Sequence, residues 1–213
     1  MPTLLLRLQA PMQSWGISSH FTNRDTAREP SKSGVIGLIC AALGRPREAD
    51  ISDLAALKMG VRIDREGVLQ KDFHVAQDIY QADGKSTKDS EISDRYYLAD
   101  AVFLVGFEGP RELLEEIYIA LKSPHWSLYL GRKAFPPGKP VWLEHALQDE
   151  PLLDALKGFP ALVPNPTEKV RIVLESDEGE FVRADVPLSF EDRQFSSRRI
   201  HMTHIECPPH EEV

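Results

Sequence analysis

Cysteine is scarce in this 213-residue chain: there are two, Cys40 and Cys207, far apart in sequence. That excludes a disulfide framework and makes the reducing cytoplasm the expected location. A chain this long buries about 70% of the surface it exposes unfolded, so it needs no such staples. No run approaches the ~18 apolar residues of a membrane span. The opening Met-Pro-Thr-Leu-Leu-Leu-Arg-Leu lacks the basic start and length of a signal peptide, so no membrane role is expected. Positive charge is not in excess either: 25 Lys and Arg stand against 33 Asp and Glu, net −8. That excludes a protein that coats nucleic acid by bulk electrostatics. No Walker A loop, G-x-S-x-G elbow or H-E-x-x-H motif occurs. Hydrophobic residues at 42% and charged residues at 27% exclude wholesale disorder.

What is present reads as an α+β chain. Thr3 to Leu8 is a short apolar run and a first strand. Residues 11–33 form a long irregular connection, uncommon unless functional. Val35 to Leu43 is apolar all round and ends at Gly44, a helix buried on most faces. Ser52 to Met59 reads as a second helix. Gly60 to Asp64 alternates as a strand, and Val68 to Ala76 as its partner. Residues 77–96 are polar, with Asp83-Gly84 at their centre, and read as a protruding hairpin. Tyr97 to Phe107 is the strongest strand, Pro110 opens an amphipathic helix carrying Leu113, Leu114, Ile117 and Leu121, and Ser127 to Leu130 is a further short strand.

Strand, helix, strand, strand, helix, strand is the ferredoxin-like plan, which RNA-recognition domains share with many unrelated proteins. Residues 1–135 are thus expected to form a ferredoxin-like domain and residues 136–168, with seven prolines, a crossing segment. Val170 to Leu174, Phe181 to Val186 and Arg199 to Ile205 read as strands of a small β-rich region over 169–213.

The charge is unevenly spread. Residues 121–140 carry four basic groups and no acidic one, while residues 141–213 carry seven against fifteen. Three basic patches stand out: Arg24, Arg28 and Lys32; Arg132, Lys133 and Lys139; Arg193, Arg198 and Arg199. The first feeds a helix N-terminus that begins Ser31-Lys32-Ser33-Gly34, where free amides, hydroxyls and the helix dipole suit a phosphate. Simple capping by a serine is the plainer alternative. Repeated phosphates are what a nucleic-acid backbone presents, so the three patches together point to one.

Two other chemistries have candidate residues in the chain. His201-x-x-His204-x-x-Cys207 has zinc-ligand residue types, but within a strand the two histidines face opposite ways and no fourth ligand is evident. No metal and no cofactor are expected. A metal-independent endoribonuclease needs a base, an acid and a cation near the phosphorane. His20 or His74 with Tyr80, Lys85 or Lys88 supply those types without a distinguishing spacing.

Five segments then carry a resemblance: Pro11-Met12-Gln13-Ser14-Trp15-Gly16, Ser31 to Leu38, Arg95 to Ala101, Tyr129 to Lys133 and Arg193 to Arg198. In this order they resemble the CasD family, the guide-RNA 5′-handle-binding subunit of the type I-E CRISPR Cascade complex. The resemblance implies a repeat-associated RNA-binding fold with a thumb hairpin over about residues 75–97. It implies a non-catalytic role: binding and capping the 5′ handle of the guide RNA and helping to position the first spacer bases. Its partners would be that RNA and the backbone and large subunits of the complex, with target DNA met only through the complex. Onto the basic patches it lays Arg24, Arg28, Lys32 and Ser33 as phosphate ligands, Arg132 and Lys133 as a second clamp, and Arg193 and Arg198 as a third. Gln13 and Trp15, where the first strand ends, would read or stack a handle base; for Trp15 a core or rim anchor is the plainer alternative. Lys85, Lys88 and Arg95 are the thumb's cations.

Overall fold

Thr3–Gln9 folds as β1, and its leucines are buried on both faces of the sheet it enters. The computed structural model describes residues 1–17, 22–81, 83–164 and 166–211. After β1 come β2 (Met12–Gln13), β3 (Asn23–Arg24), α1 (Lys32–Leu43), α2 (Ser52–Ala55) and β4 (Lys58–Arg65). Then follow β5 (Val68–Tyr80), β6 (Thr87–Ala99), β7 (Val102–Glu108) and α3 (Arg111–Lys122). The remainder is β8 (Leu147–Gln148), α4 (Leu152–Gly158), β9 (Lys169–Glu175), β10 (Phe181–Ser189) and β11 (Gln194–Glu206). No helix among the described residues is long and apolar enough to cross a membrane.

The strands form two sheets. The larger runs β10-β11-β9-β4-β7-β1-β8, with antiparallel pairing throughout. Helices α1 and α3 pack against each other, and α4 packs on β4, β7 and β1. A Cβ on Gly60 would run into Leu156, and one on Gly106 into Leu152, which shows how closely α4 approaches the strands. Alternate β1 residues therefore serve opposite layers, and each fully buried leucine contributes about 1.5–3 kcal/mol. Helix α1 starts where Ser31 accepts from Gly34 N and stops at Gly44, which is left-handed at φ 72°. In α3, Leu114, Ile117 and Leu121 form the buried face.

The second sheet is a long antiparallel hairpin, β5 with β6, joined by β2 and β3 on the free side of β6. At its tip Asp83 accepts from the amides of Lys85 and Ser86, closing the turn around Gly84 at φ 66°.

Several local expectations change. The run from Tyr97 to Phe107 is two strands in two sheets, broken at Asp100, whose φ of 57° is tolerated by a short polar side chain. Strand β5 pairs with β6 and not with the Gly60–Asp64 strand, because the chain turns away at Gly67 (φ 70°). The Ser52 helix lasts one turn before Lys58 opens β4. Ser127 to Leu130 is not a strand; the segment beside the free edge of β1 is β8. The three later strands extend the main sheet through the β9–β4 pairing.

Candidate nucleic-acid interface

Arg24 and Arg95 lie side by side because β3 pairs in parallel with β6, in the register Asn23 with Asp94 and Arg24 with Arg95. Arg132 comes to them from the loop after α3. Its Nη2 donates to Tyr96 O at 2.9 Å and to Arg24 O at 3.2 Å, and its guanidinium lies over the Phe135 ring. Burial first, then the charges of Arg95 and Arg24, lower the Arg132 pKa below its ordinary value, while Asp25 and Asp72 act the other way. Three guanidinium groups within electrostatic reach of one another make a local field that an anion relieves.

Arg24 and Arg132 open onto a cleft of about 250 Å³ lined by Ser14, Trp15, Arg24, Ser33, Arg132 and Phe195, among others. The loop carrying Arg132 is fixed by backbone: Ser14 N donates to Leu130 O, Leu130 N to Phe135 O and Phe135 N to Arg132 O. Gly131 sits at φ 88° with a hypothetical Cβ only 1.7 Å from Ser14 O, so no other residue fits there without moving the loop. Tyr96 O accepts from both Ser14 Oγ and Arg132. Residues from four of the five resembling segments therefore line one cleft, and the fifth, Arg95 to Ala101, is tied to it through Tyr96 O. A second groove adjoins it through Arg24, running along the hairpin past Tyr80, Lys88, Ser93 and Arg95.

Four expected ligands are turned inward instead. Gln13 is fully buried, donating to Leu8 O and Ala101 O and accepting from Trp15 Nε1. Its hydrogen bonds are consumed in holding the turn after β1, so it has none for a base edge. Trp15 is also buried; its ring lies against Gly34 at the start of α1, making it an anchor for that helix. Buried Lys32 pairs through Nζ with Glu175, which is partly exposed, and buried Arg198 pairs with buried Asp185 and with Glu175. A desolvated cation already paired with a carboxylate is not offered to a phosphate. The helix N-terminus is likewise engaged: Lys32 N donates to Asp185 Oδ2 at 2.8 Å and Gly34 N to Ser31 Oγ.

Ser33 stays half-buried on the cleft wall. Arg28 is exposed in a neighbouring groove with Arg171 and Arg183, whose guanidinium groups grip buried Glu29. Lys133 is exposed beyond Arg132, and Arg193 (φ 54°) is exposed in the turn between β10 and β11. Lys85 is at the hairpin tip, and Lys88 pairs with Glu91. Phe190 also lines the cleft, and in the sequence a single aromatic near a turn carries no signal for it. His20 lies outside the described residues. His74 is exposed and hydrogen-bonded to Asp72 on β5. His201 is held by Glu180, and no cluster of three metal-ligating side chains occurs among the described residues.

An arginine-lined cleft walled by serine hydroxyls, with an accessible phenylalanine at its edge, has the chemistry of a surface for phosphates and bases. Residues 3–203 match the family described as CRISPR-associated protein (Cas_Cas5), and the chain belongs to that Cas5 family. It is 31% identical over 217 positions to the CRISPR system Cascade subunit CasD of Escherichia coli strain K12, with 92% of each chain covered. Among solved structures, it is similar to a Cas protein at 44% identity and TM-score 0.83, covering 98% of both chains. It is also similar to a chain of a CRISPR RNA-guided surveillance complex at 36% identity and TM-score 0.84, covering 97% of this chain and 91% of that one.

Proposed function

We propose that this protein is a non-catalytic subunit of a CRISPR interference (Cascade) ribonucleoprotein, where it binds and caps the 5′ handle of the guide RNA. The observation that carries the reading is the convergence of Arg24 and Arg132 with Ser33 and Phe195 at one cleft, with Arg95 beside Arg24 in the adjoining groove. The similarity to a Cascade subunit and to a chain of an RNA-guided surveillance complex supports it. Handle phosphates sit against Arg24, Arg132 and the Ser33 hydroxyl, with Lys133, Arg28 and Arg193 as outer contacts. The hairpin acts as a thumb: Lys85, Lys88 and Arg95 line the path toward the first spacer bases. The backbone and large subunits of the complex are the protein partners, and target DNA is met through the assembly.

A ferredoxin-like core fits this reading. The sheet order β8-β1-β7-β4, with α1 and α3 packed together, supports it. Residues 1–135 with β8 then make the RNA-binding part, 136–168 the crossing segment and 169–213 the C-terminal β-rich region.

The test is handle-RNA binding by the Arg24→Ala/Arg132→Ala double variant across a salt series. Loss of two phosphate contacts on a single strand reduces the slope of log affinity against log salt by about 1.4. Unchanged affinity and slope would overturn the phosphate assignment. Specific cleavage of repeat RNA in EDTA, abolished by His20→Ala or His74→Ala, would replace the capping role with an endoribonuclease.

A further inference from the structure

The acid-free stretch 121–140 divides between two places. Arg132 lines the arginine cleft, while Lys122, at the end of α3, and Lys139, on the proline-rich loop, line a different groove of about 390 Å³. The groove shares no residue with the cleft. Its lining is largely apolar and includes buried Leu121 and Val141, with Trp142 partly exposed beside them.

Two features set this groove apart from a solvated lysine surface. The first is that Lys122 is held in place. Its Nζ lies 4.3 Å from the Tyr118 ring centroid and 5.0 Å from that of Trp142. Tyr118 is pinned in turn by its hydroxyl, which donates to Leu143 O at 3.0 Å. The ammonium is therefore positioned before any partner arrives, and neither ring neutralises its charge.

The second feature is a shortage of donors. The lining has no hydroxyl, guanidinium or side-chain amide. Pro124, Pro137 and Pro140 have no N–H, and Gly138 N already donates to Gln9 O at 2.8 Å. The side-chain donors are the two ammonium groups and Trp142 Nε1, which makes no hydrogen bond among the described residues. A phosphate backbone is gripped by repeated hydroxyl, amide and guanidinium donors, so this groove does not suit one. An apolar lining with two cations and no carboxylate is instead complementary to a peptide carrying apolar and acidic side chains.

We propose that this groove docks an extended acidic-apolar segment of a partner protein. Its apolar side chain packs against Trp142 and Leu128, its carboxylates meet Lys122 and Lys139, and the indole N–H donates to its backbone. The proposal does not rest on the handle-binding reading.

The experiment follows the indole N–H resonances of the three tryptophans in the full chain, with Trp142→Phe assigning the one at issue. The probes are acetyl-Glu-Leu-Ala-Leu-Glu-amide, its counterpart with Gln for Glu, and oligouridine, each titrated to about 5 mM. The acidic peptide is expected to move the Trp142 resonance and to bind about fivefold tighter than the neutral one. Lys122→Glu/Lys139→Glu changes two exposed side chains and is expected to weaken the acidic peptide about tenfold. The same variant is expected to accept acetyl-Lys-Leu-Ala-Leu-Lys-amide in its place, which also shows that it is folded. No shift at Trp142, equal affinity for the acidic and neutral peptides, or indifference to the double reversal overturns the proposal. Oligouridine moving the resonance more readily than the acidic peptide also overturns it and gives the groove to nucleic acid. Handle binding insensitive to Arg24 and Arg132, with the peptide shifts intact, would sink the cleft reading alone.

Discussion

Lys32 N donates to Asp185 Oδ2 at 2.8 Å, so the first amide of α1 is held by a carboxylate 153 residues away. The helix dipole that invites a phosphate is met from within the fold, and the same carboxylate takes Arg198 Nε at 2.7 Å and Nη2 at 3.0 Å. The contact ties α1 to β10 and β11, and under the proposed function it leaves anion binding to the arginines across the cleft.

Acid titration reads this contact. Burial by itself raises the Asp185 pKa; hydrogen bonds and charge from Arg198, with the Lys32 amide, outweigh it and hold the carboxyl below its ordinary value. A depressed carboxylate contributes stability that is fully present above its unfolded value of about 4 and is lost as pH falls through the folded value. Asp185→Asn is expected to lower unfolding free energy at pH 7 by about 3 kcal/mol. Below pH 4 the difference between variant and wild type shrinks, as urea denaturation at a series of pH values will show.

Gly131→Ala separates the loop from its cations. With φ at 88° and Ser14 O in the way, the substitution forces the loop off β2. The expected loss is about 2–3 kcal/mol. Gly84→Ala has a similar φ but nothing within 4 Å, so it costs about 1 kcal/mol. Thermal melts of the two variants side by side check the contrast, and handle-RNA affinity falls only for Gly131→Ala.

Arg62 holds the segment after α4 to the sheet. Its guanidinium is wholly buried, paired with Asp64 at 2.7 Å, and donates to the carbonyls of Leu156, Phe159 and Pro160; Asp64 also accepts from Leu162 N. Arg62→Met leaves Asp64 without its cation and three carbonyls without donors, at a cost of about 3–5 kcal/mol. Hydrogen exchange is expected to rise first at Leu162 N and across α4; a uniform rise over the whole chain would contradict the local role.

The thiols provide an independent probe. Burial pushes the Cys40 pKa up to about 11, and Cys207, partly exposed, is raised by burial and by Asp64. Thiolate is the reactive form, so Cys40 resists alkylation at pH 8 in the folded protein. Mass spectrometry after iodoacetamide is expected to find Cys207 labelled first and Cys40 labelled only in denaturant.

The sequence alone determined what depends on neighbours in the chain. Apolar runs made β1, β7 and α1; Ser31 and Gly44 marked the ends of α1; Leu114, Ile117 and Leu121 marked the face of α3. It also located the arginines, because charge and glycine loops are local composition. Pairing was not local. Nothing near Lys32 announces Glu175, nothing near Arg198 announces that its guanidinium points inward, and the polar character of Gln13 hid its place in the core. Only the tertiary structure, by setting β3 against β6 and β4 against β9, decided which cations are spent inside and which face the cleft. The physical reason is desolvation: an ion's availability depends on the partner and solvent around it, and both are fixed by chain segments far away in sequence.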